Sequence, residues 1–378
     1  MSLARIKLSL VHSRERTLDV NLALGDDEYS RKLLSLFQEH HWARVERLTI
    51  MGDRSLSSLL NTAFIGLHMS RLRYFKLEYN STGWHLQPTP SDGTFYETMS
   101  APLLQSMYTS CEIPLPIAEM RLEELTIKTG YRLSLPLEVP RIFKTLKASQ
   151  MLQRLTLHFT LRVEDDEGGD IVPVELPHVT VVDFAFLMKG YYLELTPWKT
   201  IVHNLVLPNV EELRLQTEFF INGNFNFTEL ASLFVNGSVP RYPKLHTLTF
   251  HTEHCDEFDL ILPTIFRGLP NLQHFTLDVK GYGFLTPIGE ELYIWEQGGQ
   301  SFPRLETICL RGWEHERGLE FFDFFLRWLL DRVTIAYPLT NNNDPHKRMT
   351  LTAVQCAEHV KPYIDAWRTR YDVEWCDE

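Results

Sequence analysis

Three things are scarce in this 378-residue chain: clustered basic charge, paired cysteines and long apolar runs. The formal charge is −12 and no local cluster of Lys and Arg reverses it, so the footprint needed for nucleic acid or an anionic membrane is missing. The five cysteines (Cys111, Cys255, Cys309, Cys356, Cys376) show no paired spacing, which reads as free thiols in a reducing compartment. Three Asn-x-Ser/Thr triplets, beginning at Asn80, Asn226 and Asn236, matter only in a secreted chain and are set aside. The most apolar window, 321–330, is interrupted by Asp323 and Arg327 and is far too short to span a bilayer. At the start of the chain, Arg5 and Lys7 break the apolar stretch and no small-residue cleavage site follows, unlike a signal peptide. The expected location is intracellular, cytoplasmic and/or nuclear. Catalytic signatures are missing too: there is no nucleotide-binding glycine fingerprint, P-loop, Gly-x-Ser-x-Gly elbow or His-Glu-x-x-His helix.

What the chain has is a returning pattern, apolar-x-x-apolar-x-apolar. Its copies are Val45-Leu48-Ile50, Leu72-Phe75-Leu77, Leu104-Met107-Thr109, Leu122-Leu125-Ile127 and Leu152-Leu155-Leu157. They continue as Val179-Val182-Phe184, Val210-Leu213-Leu215, Leu245-Leu248-Phe250, Leu272-Phe275-Leu277 and Leu305-Ile308-Leu310. First positions lie 18 to 35 residues apart. Six copies place a Pro two residues before the first apolar position: Pro102, Pro177, Pro208, Pro243, Pro270 and Pro303. A shared Pro offset is not expected of chance hexads. The form is that of a leucine-rich repeat with long, uneven spacing.

Each copy predicts a short strand, since apolar residues alternate with polar ones at period two. Stacked units place such strands in one parallel sheet with variable returns outside. The expected fold is α/β: an irregular horseshoe solenoid with a parallel concave sheet and helices or loops on the convex side. An N-terminal cap, lead-in helix and first strand would fill residues 1–44, about ten repeats residues 45–337, and a loop plus capping helix residues 338–378. Helices are expected over Tyr29–His40, from Pro140, over Thr228–Val235 with a stop at Asn236-Gly237, over Leu319–Leu330 and over Thr352–Tyr371. Asn80–Thr98 and Val163–Asp170 read as loops. The Asn that would satisfy turn backbone after each strand is mostly missing, so the curvature should be irregular.

Few constellations carry chemistry. His251, His254 and Cys255 offer three zinc ligands, but a structural site wants four at separated, paired spacings. The acidic run from Glu164 to Asp170 lacks the alternating ligands and distal Glu of a calcium loop. Glu123-Glu124 and Glu211-Glu212 follow the repeat rather than a catalytic geometry. No catalytic, cofactor or metal residue is therefore assigned. The outward strand positions remain, and among them Tyr74, Tyr108, Arg154, Arg214, His251, His274 and Arg311 form a candidate partner-binding set on the concave face. Tyr and Arg are the residues that dominate protein-binding hot spots.

The copy Leu-Pro-Asn-Val-Glu-Glu-Leu-Arg-Leu (207–215), the segment Ser9–Leu22 and the pairing of Leu33–His40 with Trp42–Ile50 resemble the repeat region of fungal F-box/LRR-like proteins. That resemblance implies substrate recognition within a cullin-type ubiquitin ligase. Nothing before Leu18 has room for an F-box of ~40–50 residues, so the Skp-type adaptor is not expected to bind. The expected function is a non-catalytic interaction scaffold with a protein partner on the concave face and no cofactor, nucleic acid or membrane. A sensor fragment of an immune-type receptor, or an enzyme without a recognisable motif, are the rival readings.

Overall fold

The computed structural model describes residues 3–25, 27–37, 39–52, 56–79, 94–110, 113–117, 120–133, 135–161, 172–188, 196–219, 233–236, 239–252, 268–279, 306–311, 350–354 and 373–376. The chain forms two compact units, one of Met1–Val179 with Asn204–Val206, the other of Thr180–His203 with Leu207–Glu378. The stretch 45–337, read from the sequence as continuous, is shared between them.

The first unit opens with α1 (Leu3–His12), β1 (Leu18–Leu24), α2 (Glu28–Ser35), α3 (Glu39–Trp42), β2 (Val45–Gly52), α4 (Leu56–Ala63) and β3 (Tyr74–Tyr79). It continues with α5 (Thr94–Thr98), β4 (Ser106–Ser110), β5 (Glu124–Leu133), α6 (Leu135–Ala148), β6 (Arg154–Leu161) and β7 (Val174–Glu175). The second unit holds β8 (Val181–Met188) and α7 (Thr196–His203), after which β9 (Leu205–Val206) returns to the first unit and pairs with β7. The second unit then carries β10 (Glu212–Phe219), β11 (Val235–Asn236), β12 (Val239–Pro240), β13 (Thr247–Thr252), β14 (His274–Val279), β15 (Thr307–Arg311), β16 (Thr350–Val354) and β17 (Val373–Cys376).

Within the first unit β1 to β6 pair in chain order, each parallel to the next. Within the second, β8, β10, β13, β14, β15, β16 and β17 do the same. All ten strands expected from the repeat are present; nine begin two residues after the first apolar position, and β2 begins at that position itself, Val45. The result is an α/β architecture on parallel strands with few helices, compatible with a solenoid-like fold.

The Pro offset has a local cause. The amide of the first apolar residue donates to the carbonyl three residues earlier in Leu104→Ala101 (3.1 Å), Val179→Leu176 (3.3 Å), Leu245→Tyr242 (3.1 Å) and Leu272→Leu269 (3.1 Å). Pro102, Pro177, Pro243 and Pro270 each fill the second place of that four-residue turn, where a fixed φ near −65° is already correct for a type I turn. The same turn forms without Pro at Leu72→Met69 and Leu152→Ser149. From each turn the chain steps into the ladder with a recurring bond, such as Gln105→Arg73 (2.9 Å), Gln153→Glu123 (2.8 Å), His246→Glu211 (3.0 Å) and Gln273→His246 (2.9 Å). At β3, β4, β6, β13 and β14 turn and ladder together set the phase of the strand.

That phase buries one face. Leu48, Leu77, Leu125, Leu155, Leu213, Leu248 and Leu277 are at most 2% exposed. The side chain of Leu310 lies outside the described residues. In register they stack into rows, Leu48–Phe75–Met107–Leu125–Leu155 in the first unit and Val182–Leu213–Leu248–Phe275 in the second. Helical residues complete the first core through a chain of rings: Phe37 stacks on Trp42 at 4.7 Å, Trp42 meets Phe64 at 5.1 Å, and Phe64 meets Phe95 at 6.2 Å. Tyr96, beside Phe95, reaches the strand residue Phe75 at 6.4 Å. The helices thus lie on the inward side of the strands. Thr109 takes an inward place expected to be apolar; it is fully buried and its hydroxyl has no hydrogen-bond partner.

Four expectations are corrected. Residues 94–98, read as the end of a loop, form α5, whose Phe95 and Tyr96 are buried in the core. Pro140 does not begin a helix; α6 starts five residues earlier at Leu135. An interior Pro costs a helix about 3 kcal/mol, and burial of Val139, Ile142, Phe143 and Leu146 offsets it. Val235 is not helical. Val235 and Asn236 pair antiparallel with Pro240 and Val239, while residues 228–232 of the expected helix and Gly237 lie outside the described residues. Thr352 does not start a helix either, because Thr350–Val354 is a strand parallel to β15, and Val373–Cys376 adds another. The expected helix over Leu319–Leu330, the loop over Val163–Asp170 and the whole span 355–371 lie outside the described residues.

Three substitutions test this packing. Leu213→Ala should destabilise the protein by about 2–5 kcal/mol, whereas Thr249→Ala on the opposite face should change the melting temperature little. Thr109→Val keeps the shape and removes a buried, unmatched hydroxyl, and thermal unfolding should show a gain of about 1 kcal/mol.

Candidate functional site on the open sheet face

Side chains that alternate with the inward rows form a second set of rows on the open face of each unit. In the first unit the ladders align Asp19–Arg47–Tyr74–Ser106–Glu124–Arg154, then Asn21–Thr49–Lys76–Tyr108–Thr126–Thr156. A third row ends in Ser110–Lys128–His158. In the second unit they align Val181–Glu212–Thr247–His274–Thr307, Asp183–Arg214–Thr249–Thr276–Cys309 and Ala185–Gln216–His251–Asp278–Arg311. Of the predicted set, the first unit thus holds Tyr74, Tyr108 and Arg154, and the second Arg214, His251, His274 and Arg311. The side chain of Arg311 lies outside the described residues.

Tyr74, Tyr108 and Arg154 are held by their neighbours rather than left loose. The Arg47 guanidinium sits 4.4 Å from the centre of the Tyr74 ring, and the Lys76 ammonium 4.9 Å from that of Tyr108. Such contacts are worth about 0.5–1 kcal/mol when exposed. Lys76 also bonds Glu78 at 2.7 Å. That hydrogen bond, with the charge of Glu78 and the nearby Tyr108 and Tyr74, holds the Lys76 pKa above the ordinary lysine value against partial desolvation. Arg154 pairs with Glu124, which also accepts from Ser106 at 3.3 Å. Lys128 has no ion pair among the described residues, although it lies on the same face.

The second unit is organised around imidazoles. His251 Nδ1 lies 3.1 Å from Asp278, both side chains being only 16% and 20% exposed. His274 Nδ1 lies 2.9 Å from the Thr307 hydroxyl. His246, one residue ahead of β13, sets its ring edge-on to His274 at 6.4 Å and approaches Glu211 at 4.0 Å. Asp278 could orient His251 as a base, but no described hydroxyl or thiol is bonded to that ring. No group of three His, Cys, Asp or Glu residues capable of holding a metal occurs among the described residues. His254 and Cys255 lie outside them.

Alternation identifies the face but not its internal pairs. Arg47, Lys76, Glu124, Asp278 and Thr307 were legible as outward residues, yet their partners depend on cross-strand register over intervals of varying length. His246 was missed because it precedes the strand. Its signal is the step bond that places 246 beside 211 and 273. The three outward positions of β1–β6 carry four cations against three carboxylates, nearly balanced in a chain of charge −12. Among the described residues no helix is long and apolar enough to cross a membrane. No protein-family model matches the chain, and comparison with curated proteins and with solved structures finds no match either.

Proposed function

We propose that this chain is a non-catalytic protein-interaction scaffold, an irregular leucine-rich-repeat solenoid whose open strand face binds a protein partner. The observation that carries this reading is the ordered presentation of large polar and aromatic side chains on in-register strands. Tyr74 and Tyr108 are steadied by Arg47 and Lys76, Arg154 by Glu124, and His251 by Asp278. Groups already fixed before binding lose less conformational freedom on contact, which raises the affinity a given area can supply. Tyr and Arg suit this role because they dominate interface hot spots.

The charge balance favours protein over nucleic acid. A phosphate-binding surface needs a clear excess of Lys and Arg, and neither unit's face has one. The resemblance to F-box/LRR-like proteins supports a narrower version in which the partner is a ubiquitin-ligase substrate.

The test treats each unit's face separately. One variant carries Tyr108→Ala and Arg154→Ala, another Arg214→Ala and His274→Ala. Affinity capture from cell lysate with the intact chain should return specific partners, and at least one variant should lose them while melting like the parent. Partners retained by both variants would move the site off the open face.

A further inference from the structure

Among the described residues, no strand lies beside the outer edge of β1. β1 ends the strand order of the first unit and is paired on one side only, with β2. Among the described residues, no hydrogen bond from outside that ladder reaches residues 19–24. An open edge is a template for another strand, and proteins commonly guard it with Lys, Pro, a mid-edge bulge or a covering segment. The sequence Asp-Val-Asn-Leu-Ala-Leu (19–24) has neither Lys nor Pro, and the one register irregularity falls at its start, between Leu18 and Asp19. Asp19, Asn21 and Ala23 are exposed, while Val20, Leu22 and Leu24 are buried. Such an edge can extend the sheet and its open face, while its inward residues are already covered.

We propose that β1 is a self-association edge, and that its occupant is β1 of a second copy of this chain, added antiparallel about a two-fold axis through Asn21. In an antiparallel pair, directly opposite residues share a face. In this register Leu18 faces Leu24, Val20 faces Leu22, Asp19 faces Ala23, and Asn21 meets its own mate. Val20, Leu22 and Leu24 are already buried in the single chain, so in this register no polar group is set against them and the new contact is made by the free backbone groups of the edge. The two Asp19 carboxylates stay apart, and each Asn21 carboxamide both donates and accepts. A slip of one residue would set Val20 against Asn21 and break the match. The contact is isologous, so it closes at two copies. It uses a strand edge, and does not depend on the partner-binding reading of the open face.

The test is sedimentation of the full chain over a wide concentration range. A reversible monomer–dimer equilibrium is expected. Asn21→Lys sets two ammonium groups face to face at the axis and should return the chain to monomer, with circular dichroism and melting unchanged. The register is tested at Ala23. Ala23→Lys gains two pairs with Asp19 of the other copy and should tighten the dimer by about three- to tenfold. Ala23→Asp should loosen it by a similar factor, and this pair of variants decides the matter even if Asn21→Lys fails to fold. A monomer at every concentration, an open-ended polymer such as head-to-tail stacking would give, or a dimer indifferent to the Ala23 charges overturns the proposal.

Discussion

Everything in this fold depends on parallel strands being stacked without a slip of even one residue. Side chains alternate along a strand with a period of two, so a one-residue error in any ladder would turn that strand's buried set outward. Where it forms, as ahead of β3, β4, β6, β13 and β14, the turn with Pro favoured in its second place and the step bond that follows it fix where the strand enters. The inward rows through Leu48 and Leu213 then make the correct register the one that removes apolar surface from water.

The open face is the complement of that constraint. Its ion pairs range from well exposed, as at Arg154–Glu124, to mostly covered, as at His251–Asp278, and an exposed ion pair or cation–π contact contributes about 1 kcal/mol or less. Folding therefore makes little demand on which polar residues stand there. Thr at the centre of five of the ten expected strands answers the demand that does exist, for a β-branched residue on a pleated surface. Tyr74, Tyr108, Arg154 and the imidazoles go beyond it. Their cost to folding is small, and their order along the rows is set by the buried leucines beneath them. Hence a binding surface can vary while the scaffold stays the same.

Much of this was legible in the sequence, for a definite reason. Strand existence, phase and the inward set follow from local alternation and a fixed Pro offset, both contained within about ten residues. Elements outside that local code were not. Thr350–Val354 and Val373–Cys376 join the ladder without the full apolar pattern, so their strand character comes from the neighbour they pair with. α5 holds only five residues and is fixed by the burial of Phe95 and Tyr96 rather than by propensity. Val235 was read as the end of a helix, and only its pairing with Pro240 makes it a strand residue. The candidate face divides the same way: membership is local, whereas Arg154–Glu124 and His251–Asp278 require knowing which strand lies beside which.

The most direct test of strand phase, on which both the core and the open face rest, is a cysteine scan along β10. Single Cys substitutions at Glu212, Leu213, Arg214, Leu215 and Gln216 would be labelled in the native protein with a thiol reagent and resolved by mass spectrometry. The phase described here predicts fast labelling at 212, 214 and 216, with 213 and 215 reacting only on unfolding. Uniform labelling, or the opposite alternation, would contradict it.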